Sequence, residues 1–270
     1  MDHLVSKESF DLIYDGNLDL LQTSPQPKRA ALQKYYESED YISHTDDKRG
    51  VFAWAYQFVK KWSVQHKTNL ISTMNNGAGT LLDIGAGTGD FLLTAQKKGW
   101  VCFGVEPNLN ALKLASGKGL SLKLNLNEFE GKQFDVVTLW HVLEHIPNLD
   151  EIVVHLTQLV KKNGTLIIAV PNYKSYDALY YGKFWAGFDV PRHLWHFSKH
   201  SMSALFSKSF RLVKIKPMFF DSFYVSLLSE KYMTGNKLSL KGIWIGLLSN
   251  FKARSSKEYS SHIYCFKKIE

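Results

Sequence analysis

The stretch LLDIGAGTGDF, Leu81 to Phe91, constrains the fold of this chain more than any other. An apolar run is broken by Asp83, and glycine then takes every second position, at 85, 87 and 89. The pattern predicts a strand, a tight turn and the start of a helix. Glycines remove the β-carbons that would hold a ligand off the backbone, and the first turn of a helix offers N–H groups with no intrahelical partner. A dinucleotide fingerprint spaces its glycines G-x-G-x-x-G, whereas the spacing here is G-x-G-x-G with Asp83 two residues ahead. After a helix from Asp90 to Lys98, stopped by Gly99, VCFGVEP supplies a second apolar strand that ends on Glu106 and Pro107.

The loop with its leading acid, followed by a strand that ends in an acid, resembles motif I and the next strand of class I S-adenosylmethionine-dependent methyltransferases. The resemblance implies S-adenosylmethionine as cofactor, held by Asp83, Gly85, Ala86, Gly87 and Gly89. Glu106, beside Pro107, would accept hydrogen bonds from the ribose diol. Asn125 and Leu126 fall where the family sets a polar side chain, usually aspartate, on the adenine amino group and an apolar neighbour against the ring. GVEPN, LWHVLEHIPN and DVPRHLWHFS together look like the broad methyltransferase-domain family with ubiquinone-type and sugar-modifying members.

The order of elements predicts an α/β fold. A helix from Asn108 to Ser116 leads to a third strand, LSLKL, and FDVVTLW is a fourth strand, buried on both faces by its uninterrupted apolar run. A helix over 149–162 carries Ile152, Val153, Leu156, Leu159 and Val160 on one stripe, with Asn163 and Gly164 as its stop, and TLIIAVPN makes the fifth strand. RLVKIKPMF is a sixth strand and SHIYCFKKI a last one, antiparallel in this family. The expectation is a Rossmann-like, doubly wound, mostly parallel seven-stranded sheet with ligands at the carboxyl ends of its strands. Residues 1–70 are read as an N-terminal appendage and helical lid, and 71–270 as the cofactor-binding domain, with a helical insertion at about 221–260. VFAWAYQFVKKW, with Phe52, Ala55, Phe58, Val59 and Trp62 at helical spacing, is the lid helix, and Tyr35, Tyr36 and Tyr41 are candidates to wall the acceptor pocket. The first residues look like the zinc-ribbon piece of some sugar and small-molecule methyltransferases, but Asp15 and Leu18 stand where those carry cysteines.

His141, Glu144 and His145 form H-x-x-E-H, also the spacing of inverted zinc proteases. That reading fails because the run follows a buried strand and Pro147 interrupts any continuing helix. Two readings stay open. In one, Trp140 and His141 lie against the cofactor and a histidine among His141, His145 and His193 is the general base, suited by a pKa of about 6.5. In the other a divalent ion activates the acceptor, as the resemblance of VLEHI to the metal motif of ubiquinone-pathway and small-RNA 2′-O-methyltransferases implies, with His193 or His196 as a further ligand. Catalysis without an assigned metal is the preferred expectation. Arg192, between Pro191 and His193, is either an anion binder or the partner of Asp189. A cofactor-binding protein without catalysis is a further alternative.

A net charge of +8 invites a nucleic-acid partner, but the cationic residues are scattered and the densest group, Lys208, Arg211, Lys214 and Lys216, reads as a solvated strand face. A small-molecule, sugar or lipid acceptor is expected instead. The two cysteines, Cys102 and Cys265, lie in apolar runs, which argues against a disulfide framework and for a reducing cytoplasm. No apolar run is long enough to span a membrane. Two amphipathic stretches, SFYVSLLSEKY and SLKGIWIGLLSNF, fill the insertion, either as a helical pair closing the fold or as a surface for a membrane or partner. Oligomeric state is left open.

Overall fold

The computed structural model describes residues 1–28, 31, 33–36, 51–236 and 239–269. Tyr41 and the side chains of Tyr36, Phe52 and Ala55 lie outside the described residues. In chain order, β1 (Asp11–Asp15) and β2 (Leu20–Ser24) precede α1 (Val51–Asn75), β3 (Thr80–Ile84) and α2 (Asp90–Gln96). There follow β4 (Val101–Val105), α3 (Leu109–Gly117), β5 (Phe134–Trp140), α4 (Leu149–Leu159) and β6 (Val160–Pro171). The remainder is α5 (Tyr176–Tyr181), β7 (Trp195–His196), α6 (Lys199–Phe206), β8 (Phe210–Pro217), α7 (Asp221–Thr234), α8 (Leu240–Ser256) and β9 (Ser261–Lys268).

The main sheet runs β4-β3-β5-β6-β9-β8, parallel from β4 to β6 and antiparallel at β9. Strand order reverses between β3 and β5, so the carboxyl ends of those strands open a crevice there, with the end of β4 beside it. The alternation of the strands sorts side chains to two layers. Leu82, Val137, Leu139, Leu166 and Ile168 pack with Ile152 and Leu156 of α4 and Phe206 of α6. Leu81, Val136, Ile167 and Cys265 pack with Ile71 of α1, Leu92 of α2 and Trp100. Asn108 and Asn148 cap α3 and α4 with their side-chain oxygens, which fixes where those helices begin.

Among the described residues the main sheet has six strands, not seven. LSLKL is reduced to one parallel bridge between Lys123 and Val105, with Lys123 N–H donating to Gly104 O and Glu106 N–H to Lys123 O. Its position is the outer edge, with its side chains mostly exposed, so little apolar burial is gained by extending it. The helix expected over 149–162 ends at Leu159 because Val160 already pairs with Phe134 across an irregularity between Phe134 and Val136.

The N-terminal residues form a hairpin, β1 with β2, extended by β7 into a three-stranded antiparallel sheet. Asp15 closes its turn: Oδ1 accepts from the N–H groups of Asn17 and Leu18 at 2.8 and 3.3 Å. An Asx turn thus stands where the resembling proteins hold a cysteine. Tyr35 is buried and its hydroxyl donates to Glu8 at 2.5 Å, an anchoring contact within the N-terminal segment. Cys102 and Cys265 are free thiols. Among the described residues no helix is long and apolar enough to cross a membrane.

Candidate functional site

The glycine loop lies at the crevice, with all three glycines at positive φ (74°, 54° and 79° for Gly85, Gly87 and Gly89). Their surroundings differ. A β-carbon on Gly85 would lie 2.3 Å from Val142 Cγ2, and one on Gly89 2.2 Å from Leu120 Cδ1. Nothing lies within 4 Å of that place on Gly87. Gly85 and Gly89 are therefore packing glycines, and Gly87 faces the open crevice. Its N–H donates to Glu106 Oε2 at 2.8 Å, and Glu106 Oε1 accepts from Asn108 N–H at 2.8 Å. These bonds hold a mostly buried carboxylate at the end of β4 with lone pairs left for a diol.

Asp83 takes an inward position on the α1 face of β3. Burial pushes its carboxyl up to about 7, against the opposing pull of the Thr138 hydroxyl, which donates to Oδ1 at 2.6 Å, and of the Lys67 ammonium. Lys67, from α1, sits 4.5 Å from the centre of the Trp140 ring. Trp140 packs edge-on against Phe91 of α2 at 5.6 Å, and its buried Nε1–H has no hydrogen-bond partner. Asn125 is exposed, with no capping bond from its side chain, and Leu126 is partly buried against the core. Pro107 is exposed beside Glu106.

After Trp140 the chain turns sharply, with His141 at φ 57°, a left-handed conformation that costs a non-glycine residue about 1 kcal/mol or more. That turn aims the imidazole between two carboxylates: Nε2 is 3.1 Å from Asp221 Oδ2 on α7, and Nδ1 is 3.4 Å from Glu144 Oε1. Burial opposes the charged ring, but the two carboxylates outweigh it and raise His141 to about 9. At neutral pH it is a cation held in place, the opposite of what a general base requires. Asp221, Lys67 and Thr138 were not legible as site residues, since each reaches the site only through tertiary packing.

Glu144, His145 and His193 come together, each offering one ligand atom within 4.8 Å of the others. His145 Nδ1 lies 3.0 Å from Arg192 O and His193 Nδ1 2.9 Å from Gly187 O. A ring nitrogen bonded to a carbonyl carries the proton, so in the neutral rings Nε2 holds the lone pair. Burial and the neighbouring His193 push His145 down to about 4, keeping it neutral. The buried Glu144 carboxylate meets His141 Nδ1 through Oε1 at 3.4 Å, and the surrounding histidines overcome its burial and hold it down at about 2. His196 is not part of this group. Its Nε2 meets Thr23 Oγ1 at 2.9 Å.

Arg192 is 1 % exposed and not an anion site. Nε and Nη2 form a fork on Asp189 at 3.0 and 2.6 Å, Nη2 also reaches Asp2 Oδ1 at 3.1 Å, and Nη1 donates to Tyr35 O at 3.0 Å. It fastens the N-terminal segment to the loop that carries His193. A cavity of about 410 Å³ lies behind this loop, lined by His3, Phe10, Trp185, Phe188, Arg192 and Tyr232 among others.

A family model described as a methyltransferase domain matches residues 40–209. Ubiquinone biosynthesis O-methyltransferase from Coxiella burnetii is 25% identical over 107 residues, covering 36% of this chain and 46% of that protein. The Pasteurella multocida protein of the same name is 27% identical over 111 residues, covering 34% and 46%. The chain thus spans about half the length of the curated relatives it matches. Among solved structures, magnesium protoporphyrin IX methyltransferase from Synechocystis with bound S-adenosylhomocysteine superimposes with a TM-score of 0.58 at 14% identity, over 89% of this chain and 99% of that one. A methyltransferase from Archaeoglobus fulgidus gives 0.53 at 19%, over 80% and 100%. The chain belongs to the methyltransferase domain family.

Proposed function

We propose that the protein is an S-adenosylmethionine-dependent methyltransferase acting on an oxygen or nitrogen of a small-molecule, sugar or lipid acceptor. The observation that carries this reading is Gly87, open to the crevice, with its N–H held by the Glu106 carboxylate at 2.8 Å. When bound, S-adenosylmethionine supplies an activated methyl group for in-line displacement by the acceptor. Glu106 accepts the ribose hydroxyls, Asn125 and Leu126 border the adenine, and Trp140 offers an unpaired N–H beside the loop. Asp83 and Thr138 support the strand end from beneath. His141, protonated between Asp221 and Glu144, positions α7 over the crevice. The proton of the acceptor goes to His193, which lies beside the Glu144 carboxylate. Much of the rate comes from holding the acceptor in line and excluding water.

Thermal unfolding with S-adenosylhomocysteine, with NAD as control, tests the cofactor, because a ligand at 100 times its Kd adds about 2.7 kcal/mol. We expect a shift with S-adenosylhomocysteine alone, lost in Asp83→Ala and Glu106→Ala and kept in His141→Ala. A shift with NAD, or the same shift in all three variants, would sink the assignment. A screen for S-adenosylhomocysteine release across acceptors separates an enzyme from a cofactor-binding protein, and His193→Ala is expected to lower kcat by about 10²–10⁴ without altering the thermal shift.

A second reading, metal-assisted transfer of the RNA 2′-O-methyltransferase type, is favoured by one observation: a buried Glu144 carboxylate grouped with two histidines that each fix Nδ1 on a backbone carbonyl. That outer bonding is the usual support of metal-binding histidines. A bound divalent ion would lower the pKa of an acceptor hydroxyl. Calorimetric titration of the protein with Mg²⁺, Mn²⁺ and Zn²⁺ decides between the readings. Saturable binding that Glu144→Gln and His193→Ala abolish supports the metal, and its absence leaves His193 as the base.

A further inference from the structure

Helix α8, LKGIWIGLLSNFKARSS, is built inside out for a helix on a water-soluble core. It buries Gly242, Gly246, Ser249 and Ala253 together with Ile245, while Leu240, Trp244, Leu247 and Phe251 are 86, 61, 50 and 64 % exposed. The partner helix α7 likewise buries Ser222, Ser226 and Ser229. The two backbones approach closely: a β-carbon on Gly246 would lie 2.9 Å from Phe223 Cα and Ser222 O, and one on Gly242 3.1 Å from Leu227 Cα. Small residues at the contact and large apolar ones outside is the packing logic of helices that meet lipid.

The outward residues follow steps of three and four, so they form one stripe. Beside it α5 adds the exposed Leu179 and Tyr180. The charges that α8 itself carries have one sign, and Glu258, just beyond it, is paired with Lys199 at 2.9 Å. α8 contains Lys241, Lys252 and Arg254 and no acid, and Lys257 follows it. Lys252 stands 3.8 Å from the Tyr176 ring and Lys241 5.5 Å from that of Tyr180. The acids beneath are buried: Glu230, 3.6 Å from Lys241, and Asp177, which accepts from Trp185, Ser249 and Ser260.

We infer that the outer face of α8, with the adjoining turn of α5, docks on the surface of a bilayer containing anionic lipid. An apolar stripe bordered by cations is what an interfacial helix presents, the side chains entering the acyl boundary and the cations meeting the headgroups. A second copy of the chain fits less well, because a two-fold contact through this face would set its cations against their own copies. α7, the helix packed under this face, carries Asp221 against His141, so docking brings the crevice next to the membrane.

The test is co-sedimentation of the full chain with vesicles of phosphatidylcholine alone and of phosphatidylcholine with phosphatidylglycerol. We expect association with the anionic vesicles, weakened by salt and by Lys252→Gln/Arg254→Gln, and reduced about a hundredfold in Leu247→Ser/Phe251→Ser. The part of the lipid-induced blue shift in fluorescence that is due to Trp244 should vanish in Trp244→Phe. Because these side chains point outward, each variant should keep its melting temperature and its response to S-adenosylhomocysteine, which separates a lost surface from a lost fold or cofactor site. No association of the unaltered chain, or equal association of Leu247→Ser/Phe251→Ser, overturns the inference. So does a dimer in sedimentation velocity that this variant dissociates, which would make the face a subunit interface.

Discussion

Gly87 and its two neighbours are alike in sequence and unlike in consequence. Alanine at 87 meets no atom, so its stability cost is that of the left-handed backbone, about 1–2 kcal/mol, and its main effect is a weaker thermal shift with S-adenosylhomocysteine. Alanine at 85 or 89 pays the same backbone cost and must also displace Val142 or Leu120, adding about 1–3 kcal/mol. Melting temperatures of the three variants should rank Gly87→Ala above the other two. An equal loss in all three would mean that packing does not distinguish them. The spacing of the glycines made the loop legible, and the acid at 106 confirmed its direction. What each glycine touches was not legible, because Val142 and Leu120 arrive from other strand ends. The same limit applies to His141: its sequence neighbours suggest a base, and only Asp221, brought over by a helix far along the chain, makes it a cation.

At the level of elements, the alternation of strands and helices from Thr80 to Pro171 could be read because apolar runs, glycine stops and asparagine caps agree there. The N-terminal hairpin could not. Its partner, β7, is two residues long and has no periodicity to detect. Besides the burial of Leu20 in the main core, polar contacts secure the N-terminal segment: Thr23 Oγ1 donates to His193 O at 2.7 Å, and Arg192 binds Asp2, Asp189 and Tyr35 O. Arg192→Leu strips a counter-charge from two carboxylates and is expected to cost about 3–5 kcal/mol in urea unfolding. It should also expose the segment before Ser24 to proteases. Arg192→Lys should recover only part, because an ammonium cannot reproduce the fork on Asp189.

On the scale of the whole molecule, buried histidines set the acid limit of stability. Burial lowers His196 to about 3 and His262 to about 4, both below the ordinary 6.5. As pH falls below about 6.5 the unfolded chain takes up protons that the folded chain refuses, so stability is fully present above that pH and is lost as pH falls through the folded values. Each site contributes at most about 1.4 kcal/mol per pH unit. These two sites pull urea midpoints down between pH 7 and 5, against the opposite pull of Asp83, whose carboxyl at about 7 is protonated in the fold first, and His196→Gln should reduce the downward pull by one proton's share. An unchanged slope would show that His196 charges freely in the fold. The sheet itself imposes an order in time. β9 lies between β6 and β8, yet α7 and α8 separate it from β8 in the chain. During synthesis β8 emerges before its sole neighbour in the sheet exists, and the apolar edge of β6 stays open meanwhile. Assembly can begin with β3 to β6, but the last two strands of the sheet must wait for β9, leaving a newly made chain with β6 unpaired on a side that the finished sheet covers.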